Sequence, residues 1–173
     1  VAVAGMWLSL SPHLLVRWAG GLVFVYCAIE AGYEVFGANY RALGLVTPAL
    51  HVLPVASLSV AELWGTRWAR PISAWLRETC FKPMVKRGRP KAGLVLAFVA
   101  SALGHAYPVF VAVGGTMAAA MFAFFVAQAV FVVAEALLGA SRWPRPARRG
   151  WTVVLMVASS PLFVEPALRV LGV

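Results

Sequence analysis

The sequence predicts an all-α, polytopic integral membrane protein: about four transmembrane helices, a re-entrant segment and an interfacial amphipathic helix, forming one membrane domain over residues 1–173. Three observations predict it. Hydrophobic residues make up 62% of the chain and charged residues only 12%, about half the charge of a soluble domain and too little to cover a globular surface. The stretch from Ala92 to Ala134 contains no Asp, Glu, Lys or Arg. The basic residues are clustered between apolar runs, the arrangement by which membrane proteins set their orientation.

A hydrocarbon core takes about 20 consecutive apolar helical residues to cross, and four segments supply them. Residues 14–36, "LLVRWAGGLVFVYCAIEAGYEVF", form the first, with Arg17 and Trp18 near one end. Ala92–Val113 is the second and carries His105; Thr116–Leu138 is the third. The fourth, Trp151–Leu171, contains Pro161 and Pro166, which predict a kink or a break. Residues 42–58, "ALGLVTPALHVLPVASL", are apolar but short and interrupted by Pro48 and Pro54. That favours a re-entrant or protein-buried segment over a fifth span, because irregular backbone facing lipid leaves N–H and C=O groups unpaired.

In "SVAELWGTRWARPISAWLRE", residues 59–78, Ser59 and Glu62 have capping-box spacing and start a helix. Trp64, Trp68, Ile72 and Trp75 then recur at helical spacing, with Arg67, Arg70 and Arg77 off that stripe. This is the pattern of a helix lying in the membrane interface, bent at Pro71.

The net charge is +9, from 15 Lys and Arg against six Glu and no Asp. Eight of the basic residues fall in residues 67–91 and four in residues 142–149. Their grouping between apolar runs argues for topology and anionic-lipid contact and against nucleic acid. Both basic loops are therefore assigned to the cytoplasm and the uncharged "AVGGT" turn to the outside. Richness in Ala, Gly, Val and Arg points to a bacterial plasma membrane. The two cysteines, Cys27 and Cys80, define no disulfide framework. The histidines His13, His51 and His105 show no metal-ligand spacing, so no metal is expected.

An ionisable group at membrane depth is expensive and is a functional candidate for that reason. His105 sits near the middle of the second span, with Ser101 one turn earlier on the same face and small residues, Ala97 and Gly104, beside it. A neutral imidazole both donates and accepts a hydrogen bond and takes a proton near neutral pH. A histidine there serves either a reaction or a packing hydrogen bond, and the residue alone does not separate the two. Glu30, Glu34, Gln128, Glu135 and Glu165 are weaker candidates, with Glu34 and Glu135 expected to pair with loop arginines.

Three stretches in order, "SLSVAELWGTRW" (57–68), "SALGHAY" (101–107) and "SSPLFVEPALR" (159–169), resemble the C-terminal half of the wax synthase-like branch of the membrane-bound O-acyltransferases. The resemblance covers about residues 45–171 and implies a chain without the family's N-terminal helices. It implies transfer of a fatty acyl group from acyl-CoA, as co-substrate and with no cofactor, to a long-chain alcohol or other lipid hydroxyl. His105 would be the catalytic general base, and Trp64, Arg67, Trp68 and Ser101 would contact substrate. The chain departs from the family pattern at Ala69, where the family usually has His or Asn, and at Ala106, where it often has Glu. Those departures favour an alternative, a catalytically silent scaffold or lipid-binding relative. A small transporter using Glu30, Gln128 and His105 is a third reading.

Overall fold

In lipid every main-chain N–H and C=O must be paired within the protein, and a helix does this segment by segment. The computed structural model describes residues 1–173 and contains helices and turns but no strand. Helix α1 is Ala2–Ser9 and α2 is Leu14–Ala42. Three helices are long and apolar enough to cross a membrane: α2 and the two that follow the interfacial region, described below. A fourth crossing is available if the bent C-terminal pair counts as one span. The chain is an all-helical, polytopic integral membrane protein.

Helix α2 continues past Phe36 to Ala42, and Glu34 and Arg41 pair at 3.2 Å over its last turns. Residues 43–53 are irregular and lead into a 3₁₀ turn at Pro54–Ala56, so no fifth spanning helix forms there. This irregular backbone is tied to its neighbours. The Tyr33 hydroxyl donates to the Pro48 carbonyl (2.8 Å), Val52 N donates to Arg67 O (2.8 Å), and Arg70 N donates to Leu50 O (2.9 Å).

The interfacial region departs from the single helix expected over residues 59–78. Ser59 Oγ does cap it, accepting from Glu62 N at 2.9 Å. Helix α3 is only Val60–Glu62 before the backbone widens into a π turn at Leu63–Arg67. The chain breaks at Trp68 and Ala69, with Ala69 in the left-handed region at φ 41°. Helix α4, Arg70–Leu76, then starts with Pro71 in its first turn, a π turn covers Arg77–Phe81, and α5 is Lys82–Lys86. Trp64, Trp68, Ile72 and Trp75 therefore do not form one stripe. Trp64 and Trp68 turn into the protein, while Ile72 and Trp75 stay exposed. The pairing of residues 50 and 52 with 70 and 67 holds the break open, a tertiary constraint that helical periodicity does not register. Pro71 begins a helix and bends none, since its missing N–H has no partner to lose in a first turn.

Helices α6 (Pro90–Val113) and α7 (Gly115–Leu137) form a tight hairpin. Its turn is Gly114, at φ 90° and ψ 178°, a conformation essentially open only to glycine. After a 3₁₀ turn at Ala140–Arg142, α8 (Arg145–Ser159) and α9 (Pro161–Val170) make the bent pair, 44° apart. The expected break occurs at Pro161 alone; Pro166 remains inside α9.

Helix α9 packs between α2 and α7. Phe124, Phe125 and Met121 of α7 meet Ala102 and Val109 of α6, and Val25 of α2 meets Val164 and Leu168 of α9. Polar groups pin these contacts. Arg17 donates to Glu165 Oε2 (3.2 Å) and to Ser9 O (2.9 Å), joining α1, α2 and α9. Only 26 of 173 residues are buried, while Leu103, Phe110, Val111, Val130 and Leu137 face outward. Such a surface suits hydrocarbon, not water.

Candidate functional site

His105 projects from α6 onto the wall of a cavity of about 790 Å³. Its Nδ1 lies 2.8 Å from the Ser101 carbonyl oxygen. A carbonyl only accepts, so Nδ1 carries the hydrogen and the lone pair of the neutral ring is on Nε2. The ring packs on Phe125, with centroids 4.4 Å apart, and is otherwise accessible from the cavity. This combination leaves one imidazole nitrogen, oriented by a main-chain bond, available to a ligand in an apolar chamber.

Trp64 and Trp68 line the same wall, as do Ser101 and Phe163. Trp64 is fixed by both polarity and packing. Its Nε1 donates to Gln128 Oε1 (3.2 Å), and its ring meets Phe98, Phe124 and Phe125. Gln128 is fully buried and donates in turn to Ser159 Oγ at 3.0 Å. Thus α7 connects the interfacial region to α8 through one side chain.

Arg67 is not on the cavity wall. Its Nε donates to Glu62 Oε1 (2.7 Å) and its Nη1 to the carbonyls of Val52 and Leu53 (3.3 and 3.4 Å). It staples residues 52–53 to the interfacial region. Glu62 also accepts from Leu58 N at 2.9 Å. Burial alone would raise the Glu62 pKa, but the Leu58 N–H, the Arg67 guanidinium and the charge of Arg148 together hold it below the ordinary carboxylate value.

Glu135 has no arginine partner, contrary to expectation. Its carboxylate accepts from Val60 N (2.9 and 3.0 Å) and Ala61 N (3.4 Å), the free donors at the start of α3. A carboxylate at a helix N-terminus satisfies donors that have no partner within the helix. Glu30 and Glu34 part company as well. Glu34 goes to Arg41, whereas Glu30 Oε1 lies 2.6 Å from His51 Nδ1 and 3.2 Å from the Tyr26 hydroxyl.

His51 is the site residue that sequence reasoning missed. It lines the cavity together with His105, to which it is linked by successive ring contacts of Trp68, Trp64 and Phe125. Its only mark in the sequence is a histidine amid an apolar, proline-broken run, and nothing there points to Glu30. Arg77, at the other side of the interfacial break, also reaches the wall. Because α6 and α7 form a hairpin, the basic residues of 82–91 and 142–149 collect at the end opposite Gly114. No three His, Cys, Asp or Glu side chains converge as metal ligands. No family model, curated protein or solved structure matches the chain.

Proposed function

We propose that this chain carries the acyl-transfer site of a wax synthase-type membrane O-acyltransferase, using acyl-CoA and a long-chain alcohol or other lipid hydroxyl. One observation carries the reading: an imidazole with a free Nε2 on the wall of an apolar cavity of about 790 Å³, a volume in the range of small-molecule sites. His105 Nε2 takes the proton of the acceptor hydroxyl as its oxygen bonds to the thioester carbonyl carbon. The tetrahedral adduct collapses with cleavage of the C–S bond, and the imidazolium returns the proton to the departing thiolate. Ester and free CoA are the products, and neither a covalent enzyme intermediate nor a cofactor enters the balance. Apolar walls keep out the water that would hydrolyse the thioester.

Arg77 on the cavity wall and the basic run of residues 82–91 at the same end of the hairpin support a route for the CoA phosphates. By the positive-inside rule that end faces the cytoplasm, and composition favours a bacterial plasma membrane. The second reading is a lipid-binding protein without turnover. It is favoured by the same apolar cavity with Ala69 on its wall, a methyl group where a reacting site has use for polarity.

The test is transfer from labelled palmitoyl-CoA to a panel of long-chain alcohols and sterols, in membranes containing the chain or its His105→Ala variant. The expected result is ester from the parent and a loss of about a hundredfold or more in the variant, with equal membrane insertion. Retained turnover in His105→Ala overturns the assignment. Absence of ester from both leaves the lipid-binding reading.

A further inference from the structure

We propose that His51, braced by Glu30, is a second hydrogen-bonding site on the cavity wall, one that takes the hydroxyl group of a lipid alcohol. The inference concerns binding and goes beyond acyl transfer: it describes a ligand position distinct from the one at His105.

The site is built from its backbone outward. The bonds from Arg70 N to Leu50 O (2.9 Å) and from Val52 N to Arg67 O (2.8 Å) flank His51 on both sides. They fix where its side chain leaves an otherwise irregular segment. The ring then packs against Tyr26 and Trp68, at centroid distances of 5.4 and 4.1 Å, in a triangle closed by the Tyr26–Trp68 contact at 5.9 Å. Nδ1 is 2.6 Å from Glu30 Oε1, and Glu30 is itself held by the Tyr26 hydroxyl. Nδ1 is thus engaged by Glu30, and Nε2 is the ring nitrogen left for a further partner.

That nitrogen is one of two buried side-chain polar atoms without a hydrogen-bond partner, the other being Trp151 Nε1. The His51 side chain is 1% exposed, and Nε2 is buried with no hydrogen-bond partner in the protein. Buried polar atoms are almost always paired, and a backbone, a carboxylate and two aromatic rings hold this one in place. The proposed partner comes from the cavity that His51 lines. In the proposed site Nε2 accepts, so its partner donates a hydrogen. The chamber is walled mostly by hydrophobic side chains, which makes a cationic donor costly. A neutral hydroxyl on a long apolar body meets both conditions. The two histidine rings are linked through successive ring contacts of Trp68, Trp64 and Phe125, and His51 is proposed as a separate position from His105.

The experiment isolates His51 by working in a His105→Ala background, in detergent or nanodiscs. Binding of a fluorescent long-chain alcohol is compared with that of its methyl ether, which keeps the oxygen and loses the donor. The expected result is a preference for the alcohol of about three- to tenfold, the worth of one hydrogen bond. Adding His51→Phe removes that preference. Equal affinity of alcohol and ether in His105→Ala overturns the proposal, because water then serves Nε2 as well. A preference that persists with His51→Phe overturns it too.

A second measurement covers a variant that fails to fold. In a His13→Gln/His105→Ala chain, His51 is the sole imidazole. Its ¹⁵Nε2 resonance is expected to move on addition of the alcohol and to stay on addition of the ether. No movement with alcohol refutes the site. These outcomes are independent of ester formation, so failure of acyl transfer and failure of this inference remain distinguishable.

Discussion

Replacing Gln128 with Leu tests how the cavity wall is held. Gln128 lies mid-helix in α7 with no exposed surface and makes two side-chain bonds, one accepted from Trp64 Nε1 (3.2 Å) and one donated to Ser159 Oγ (3.0 Å). Leucine fills a similar volume, so the change is mainly the loss of these bonds. The two partners are not equally harmed. The Ser159 hydroxyl keeps its bond to Leu155 O at 2.8 Å, whereas the indole N–H of Trp64 is left without its acceptor. An orphaned buried donor costs about 1–3 kcal/mol, and interhelical hydrogen bonds in membranes average about 0.6 and reach about 1.7 kcal/mol. Gln128→Leu should therefore destabilise the protein by about 1–2 kcal/mol. A double-mutant cycle with Trp64→Phe, which removes the donor, should return a coupling of about 0.6–1.7 kcal/mol. The assay is reversible unfolding in mixed micelles of rising sodium dodecyl sulfate fraction, followed by circular dichroism. Additive single-mutant effects, within about 0.3 kcal/mol, would show that Gln128 and Trp64 do not cooperate and would refute the account of how Trp64 is placed.

Two further predictions use the same assay. The Glu62 pKa lies below its ordinary value because the Leu58 N–H and Arg67 outweigh the cost of burial. A depressed folded pKa stabilises above the unfolded value and loses that contribution as pH falls through the folded one. The parent should accordingly be more stable than Glu62→Gln at neutral pH, with the gap closing below about pH 4.3; a gap independent of pH speaks against the ion pair. The glycines of α2 should respond with opposite signs. A Cβ at Gly20 would meet backbone of α1, at 2.7 Å from Ser9 N and 2.8 Å from Gly5 O, while one at Gly32 meets nothing within 4 Å. Gly20→Ala should cost about 1–3 kcal/mol through overpacking, and Gly32→Ala should gain about 0.5–1 kcal/mol from helix propensity. Equal effects would mean that α1 does not seat against α2.

Much of the fold was legible because burial in lipid leaves a simple trace. Spans two and three match α6 and α7 within two residues at each end, since long apolar runs in lipid have no alternative to the helix. The cap at Ser59 was equally readable, being a local bond between neighbours. The interfacial helix was not. Its tryptophans keep helical spacing in the sequence, yet the backbone turns left-handed at Ala69 because residues 50 and 52 occupy the main-chain groups of 70 and 67.

The candidate site divides along the same line. His105 is nominated by its cost at membrane depth and Ser101 by its place one turn earlier on the same face, whereas Trp64 and Trp68 are nominated by the family resemblance of their motif. That all four share one wall, and that Arg67 does not, depends on contacts between segments. His51 and Glu30 lie 21 positions apart, across a helix and an irregular stretch, with no periodicity to relate them. Hydropathy, a property summed along the chain, determines which segments enter the membrane. Which polar atoms meet there, and which are left without a partner, is decided by a few hydrogen bonds between segments, and these exist only once the helices have packed.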